Sequence, residues 1–212
     1  MVEIGKDITL ANGKGYSPKN IDLKVLMNMN NIPRGYLYAG VPPHDNYTLQ
    51  DHSMGCFYIA HLYFDYLEDN GKNEILEVFP KSLIEKWGKG GKQLAKSYFA
   101  QTCLLHDVNE VVTGDLVPSF KTEEYREKED KVFKEIMNYL NIQIRKDPEK
   151  KLKKHVKIVD FSQSMKEIDI LADKYPSVER IFDQRKEKLE TYISFEEIKP
   201  FLKIIGIKNF RI

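Results

Sequence analysis

The run Leu104-Leu105-His106-Asp107-Val108-Asn109-Glu110-Val111-Val112-Thr113-Gly114-Asp115 holds the chain's densest set of side chains able to do chemistry. An imidazole and a carboxylate at adjacent helical positions point about 100° apart, near enough to ligate one metal ion together. Glu110 follows His106 by four residues and Asp107 by three, so it shares their face. Gly114 is expected to take the left-handed conformation that ends a helix, leaving Asp115 in the turn beyond. Three carboxylates and a histidine crowded at one helix end suit metal-assisted hydrolysis better than a core.

Two further residues extend this set. Asp160 stands in Lys157-Ile158-Val159-Asp160-Phe161, between apolar neighbours near the expected start of a helix. A carboxylate buried there is costly unless it is paired or binds a metal. It reads either as a capping or Lys157-bridged residue, or as a ligand. His52 opens a long apolar helix and reads either as a capping or core residue or as a ligand. Together, His52, His106, Asp107 and Asp160 would offer one divalent ion four nitrogen and oxygen donors. That mix fits Mn, Fe, Co, Ni or Zn better than Ca, and it leaves room for water.

The elements that must position these residues are helical. A helix over 22–31 ends before Pro33, and Pro33 to Asn46 forms a loop punctuated by Gly35, Gly40, Pro42 and Pro43. A long helix starts near Asp51, with Met54, Phe57, Tyr58, His61 and Leu62 repeating at three and four along its core stripe. Cys56, Ile59, Ala60, Tyr63 and Phe64 make it apolar on other sides too, the mark of a central, buried helix. Gly88-Lys89-Gly90-Gly91-Lys92 lacks the Walker spacing and reads as an interhelical turn. The next helix carries Phe99, Cys103, His106 and Glu110 in one stripe. Amphipathic helices follow over 125–140 and 155–174, with two more near 177–192 and 195–205. Asn12-Gly13 signals a hairpin or a loose arm over 1–20. No alternating strand pattern of any length appears, so the fold class is all-α, with 21–212 as one helical domain.

Composition narrows the rest. The 212 residues carry 33 basic and 32 acidic side chains, a net charge of +1 that exerts no global pull toward nucleic acid or membrane. The lysine-rich stretch from Lys150 to Lys157 is interrupted at helical spacing and reads as a solvated helix face. Cys56 and Cys103 sit in apolar runs and are expected as buried free thiols. No apolar run approaches the roughly 18 residues of a membrane span, and the N-terminus carries no signal peptide pattern. A reducing, cytoplasmic setting is expected.

The order of these residues resembles the HD-domain phosphohydrolase superfamily: a His at a helix start, a His-Asp pair about fifty residues on, and a later Asp. The segment from His106 to Pro118, followed by Lys121, is similar to the HD-x-x-E-x-x-x-GD-x-x-P pattern of the 5'-deoxynucleotidases. Thr48-Leu49-Gln50-Asp51-His52-Ser53 resembles the stretch bearing that family's first ligand, and Pro33-Arg34-Gly35-Tyr36-Leu37 its upstream Arg-containing loop. The resemblance spans roughly 32–171. Three departures from the pattern concern substrate identity more than chemistry. Tyr47 stands in place of Glu, about two extra residues precede His52, and Ala39 stands where some members have Arg.

The resemblance implies an HD-domain helical bundle with His52, His106, Asp107 and Asp160 as metal ligands and Glu110 and Asp115 in the catalytic acid/base positions. It further implies a homodimer; beside it, Arg34 and Lys121 are read as cations able to neutralise substrate phosphate, Tyr36 in its Gly- and Pro-rich loop as a contact for a base, and the cofactor as one divalent transition metal ion. The activity implied is release of phosphate from nucleoside 5'-monophosphates, deoxynucleotides above all, by water that the metal activates. Two alternatives stay open. One is the same chemistry on a nucleoside triphosphate, cyclic nucleotide or other phosphoester; the other is nucleotide binding without turnover. His155, the one histidine between Asp107 and Asp160, lies five residues before Asp160 and about 140° round a helix from it, which favours a mononuclear centre.

Overall fold

A reciprocal cap fixes where the long first helix begins. Thr48 N–H and its hydroxyl donate to Asp51 Oδ2 at 2.9 and 2.7 Å, and Asp51 N–H donates back to Thr48 Oγ1 at 3.2 Å. This capping-box arrangement satisfies amides that the helix itself leaves without partners. In this computed structural model α1 accordingly spans Leu49–Asp69, two residues earlier than the apolar pattern suggests. The structure describes residues 8–9, 15–16, 27–34, 40–42, 44–116, 121–142 and 150–208.

The described residues are almost entirely helical. After α1 come a 3-10 turn at Glu74–Val78, α2 (Lys81–Trp87), α3 (Lys89–Leu105) and the single turn α4 (Glu110–Thr113). Then follow α5 (Glu123–Tyr139), α6 (Lys150–Ala172), α7 (Glu179–Glu190) and α8 (Phe195–Ile204). The all-α expectation holds. The exception is a minimal ladder in which β1 (Ile8–Thr9) pairs antiparallel with β2 (Gly15–Tyr16). Its Asn12-Gly13 link lies outside the described residues, as does most of the 22–31 stretch expected to be helical, of which Asn28–Asn31 forms a 3-10 turn. Between α2 and α3 the break is Gly88 alone, at φ +50°, and Lys89 already starts α3. Among the described residues no helix is long and apolar enough to cross a membrane.

Contacts group the chain into two compact units, one within 1–53 and 105–146 and the other within 54–104 and 147–212. In the first, Ile32, Leu49, Val108, Val111, Val112, Val132, Phe133 and Ile136 are buried. In the second, Tyr63, Phe99, Ile158, Met165, Phe201 and Leu202 centre a larger apolar cluster, and the Tyr63 and Phe201 rings meet at 5.0 Å. Cys56 and Cys103 lie in that cluster as buried thiols outside any disulfide. Burial, and after it the Asp160 charge, pushes the Cys103 thiol pKa well up, which keeps it unreactive.

The stripe assigned to the core of α1 faces the wrong way. Met54, Tyr58 and Leu62 are 37, 61 and 46% exposed, whereas Cys56, Ile59, Ala60, Tyr63 and Phe64 are buried. The small residues decide this. An ideal Cβ on Gly55 would stand 2.2 Å from the Gln163 side-chain amide of α6, so the side bearing Gly55, Cys56 and Ala60 admits the closest approach. Gln163 is itself buried and donates to Glu167 Oε1 at 3.0 Å.

The second unit also buries a histidine. His155 is 3% exposed, with Nδ1 3.2 Å from the Tyr63 hydroxyl and Nε2 3.6 Å from Glu74 Oε2. Burial, then the neighbouring Lys154 charge, lowers its pKa to about 4, against the partial counter-effect of Glu74. Because the unfolded chain takes up this proton near pH 6.5 and the folded chain near pH 4, His155 contributes stability above pH 6.5 that is lost as pH falls toward 4. The expected loss over that window is about 3 kcal/mol. Urea unfolding at pH 7.5 and pH 4 should show a smaller drop in His155→Gln than in the native chain. Equal drops would remove His155 from the acid response.

Candidate metal centre

The first unit brings most of the chemically capable residues together through backbone contacts short in sequence. Arg34 is pinned beside the start of α1: its N–H donates to Tyr47 O at 2.8 Å, and its carbonyl accepts from Asn46 Nδ2 at 2.8 Å. Leu49 N–H donates to Ile32 O at 2.8 Å, completing the junction. One turn into α1, His52 is fully buried.

His106 and Asp107 do not sit on a helix. α3 ends at Leu105, and 106–109 form turns closed by Val108 N–H to Leu105 O at 3.2 Å and Glu110 N–H to Asp107 O at 2.9 Å. Asp and Asn are poor interior helix residues, and 106–109 take i→i+3 turns instead of continuing the helix. The imidazole and carboxylate still converge, with His106 Nε2 3.0 Å from Asp107 Oδ2. The His52 and His106 rings lie 5.7 Å apart, centroid to centroid. His52, His106 and Asp107 each offer one ligand atom within 4.8 Å of the others. Two donors to one transition-metal ion stand at most about 4.2 Å apart, so atoms gathered this closely are near enough to share one. Two imidazole nitrogens and a carboxylate oxygen are the donor types such ions take. The residues therefore fit the group that the sequence implies.

The carboxylates expected at the acid/base positions lie in the same cluster. Arg34 Nη1 is 3.0 Å from Asp115 Oδ2, 3.9 Å from Glu110 Oε2 and 4.0 Å from Asp107 Oδ2. Gly114 makes this possible with φ +82° and ψ 156°, a positive φ as expected but in an extended rather than left-handed helical conformation. Its N–H donates to Glu110 O at 2.7 Å. The Tyr125 hydroxyl holds the same turn between the Thr113 and Gly114 carbonyls, at 2.7 and 2.9 Å. Burial, with the Glu129 and Glu110 charges behind it, pushes the phenol pKa up to about 12 against the opposing effects of the Thr113 hydrogen bond and Lys121, so it stays a donor. Burial, then the Asp107 and Asp115 charges, raises the Glu110 pKa well above the carboxylate range, opposed by Lys121 and Arg34.

Lys121 spans two acids, with Nζ 2.9 Å from Glu110 Oε1 and 2.7 Å from Glu129 Oε1. Burial disfavours its ammonium, but those two carboxylates outweigh burial and hold its pKa above that of an ordinary lysine. Glu129 was not among the residues singled out by sequence. Its signal is there nonetheless, since it precedes Val132, Phe133 and Ile136 by three, four and seven residues on the buried stripe of α5. A glutamate in phase with a core stripe demands a partner.

Asp160 belongs to the other unit, in the middle of α6 rather than near a helix start, where it is buried and accepts from Lys157 Nζ at 2.8 Å. The Lys157 pairing considered from sequence is thus present. Tyr36 and the 117–120 stretch of the central motif lie outside the described residues. Comparison with protein-family models, curated proteins and solved structures finds no match to this chain.

Proposed function

We propose that the chain is a metal-dependent phosphohydrolase acting on nucleoside 5'-monophosphates, with deoxynucleotides as the expected substrates. The observation that carries this reading is the convergence of His52, His106 and Asp107 donor atoms within 4.8 Å, with Glu110, Asp115 and Arg34 around them. His52, His106 and Asp107 hold the ion, and Asp160 joins them on the strength of the sequence resemblance. The ion, when bound, lowers the pKa of a water and neutralises phosphoryl charge.

The remaining roles fall to the chain's own side chains. Glu110 Oε2 is buried without a hydrogen-bond partner and is the oxygen to orient or deprotonate the attacking water. Arg34 has five N–H donors in a planar fork, so it can keep Asp115 while turning other donors to phosphate oxygens. Asp115, steadied by Arg34, supports the leaving alkoxide or the sugar hydroxyl. The test is phosphate release from ribo- and deoxynucleoside mono- and triphosphates after metal stripping and resupply of Mn, Co, Ni, Zn or Mg singly. Metal-dependent release confined to monophosphates is expected. Release from triphosphates alone would move the substrate class, and silence with every metal would end the reading.

A further inference from the structure

Glu110 is held from behind by a chain of polar contacts that the proposed chemistry does not itself require. Asn109 Nδ2 donates to Glu129 Oε1 at 3.2 Å, the same oxygen accepts from Lys121 Nζ at 2.7 Å, and Lys121 Nζ donates to Glu110 Oε1 at 2.9 Å. Every member is largely withdrawn from water: Glu129 is 5% exposed, Glu110 4% and Asn109 2%. Lys121 also lies over the Tyr125 ring, at 5.8 Å from its centroid, and Tyr125 is the residue that holds the 113–114 turn. Glu129 and Tyr125 are four residues apart on α5, so one helix face fixes both the turn and the lysine.

We infer that Glu129 is a positioning residue for Glu110, acting through Lys121, and that Lys121 is a spacer between two carboxylates rather than a contact for the substrate phosphate. The argument is one of directed lone pairs. Lys121 occupies Glu110 Oε1, which leaves Oε2 as the oxygen turned to the Arg34 and Asp107 side of the cluster. An ammonium has three donors, and two of these are committed to Glu110 and Glu129. Without the Glu129 charge the ammonium is buried beside a single acid, and nothing fixes which Glu110 oxygen it takes. Buried charges hold position only when their partners are present.

This inference rests on the phosphohydrolase reading, and the experiment separates the two. Steady-state phosphate release and metal content would be measured for the metal-loaded native chain, Glu129→Gln, Lys121→Met and the double variant. Glu129→Gln is expected to lower kcat by ten- to a hundredfold with KM and bound metal unchanged. The double variant is expected to lose no more than Lys121→Met alone, because both substitutions break one relay. A role confined to folding would instead give additive losses and a lower thermal midpoint in step with kcat. Three results overturn the inference while leaving the function standing: unchanged kcat in Glu129→Gln, additive losses, or a raised KM in Lys121→Met. If Glu129→Gln does not fold, the KM and kcat of Lys121→Met still decide. A native chain silent toward every nucleotide overturns the function, and the positioning role falls with it.

Discussion

Asp107→Ala is expected to strip the bound metal and lower phosphate release by about a thousandfold or more, which is the scale of several kcal/mol of transition-state stabilisation. Asp107 supplies the only carboxylate among the three donors gathered in the first unit. Its removal leaves two imidazoles facing a dication, with the Arg34 guanidinium nearby and one fewer negative charge to balance it. The fold should tolerate the change. Asp107 is the largest like-charge contributor to the raised pKa of Glu110, so deleting it relieves repulsion rather than removing a support. Metal analysis, phosphate release and a thermal scan on one preparation check this. Full activity, or metal retained at native stoichiometry, would sink the metal assignment.

Gly55→Val is expected to cost about 4 kcal/mol, combining overpacking with a broken buried hydrogen bond. A Cβ at Gly55 would overlap the Gln163 amide at 2.2 Å, and Gln163 can withdraw only by giving up its bond to Glu167, which is fully buried. Denaturant titration of Gly55→Val, Gln163→Ala and the pair tests the mechanism. Shortening Gln163 should restore part of what Gly55→Val loses. Simple additivity would mean the two side chains do not meet.

Sequence periodicity predicts most helices because an amphipathic stripe is a one-dimensional signal. α5 shows this well, since Val132, Phe133, Ile136 and Met137 are all buried as the spacing requires. The phase of α1 was not readable in the same way. Met54-Tyr58-Leu62 and Cys56-Ala60-Tyr63 both repeat at helical spacing, and hydrophobicity alone cannot choose between two apolar stripes. Side-chain size chooses, through Gly55, Cys56 and Ala60. At the site, residue types foretold the meeting of His106, Asp107, Glu110 and Asp115. They did not foretell the turn at 106–109, which hydrogen bonds to Leu105 and Asp107 carbonyls create. The Lys121-Glu129 pair went unread because a lone glutamate on a core stripe says that a partner exists without saying which.

At residue 114, backbone and chemistry answer to the same atom. The conformation at φ +82° and ψ 156° is open essentially to glycine, and any side chain there meets a strain of about 1–3 kcal/mol. The chain's easiest relief is to rotate the peptide that leads to Asp115, which swings that carboxylate away from the Arg34 guanidinium 3.0 Å off. A protein altered at this position would therefore shed its strain by turning the Asp115 carboxylate off its guanidinium partner. Under the proposed function, such a change would register in the rate of phosphate release more than in a melting curve.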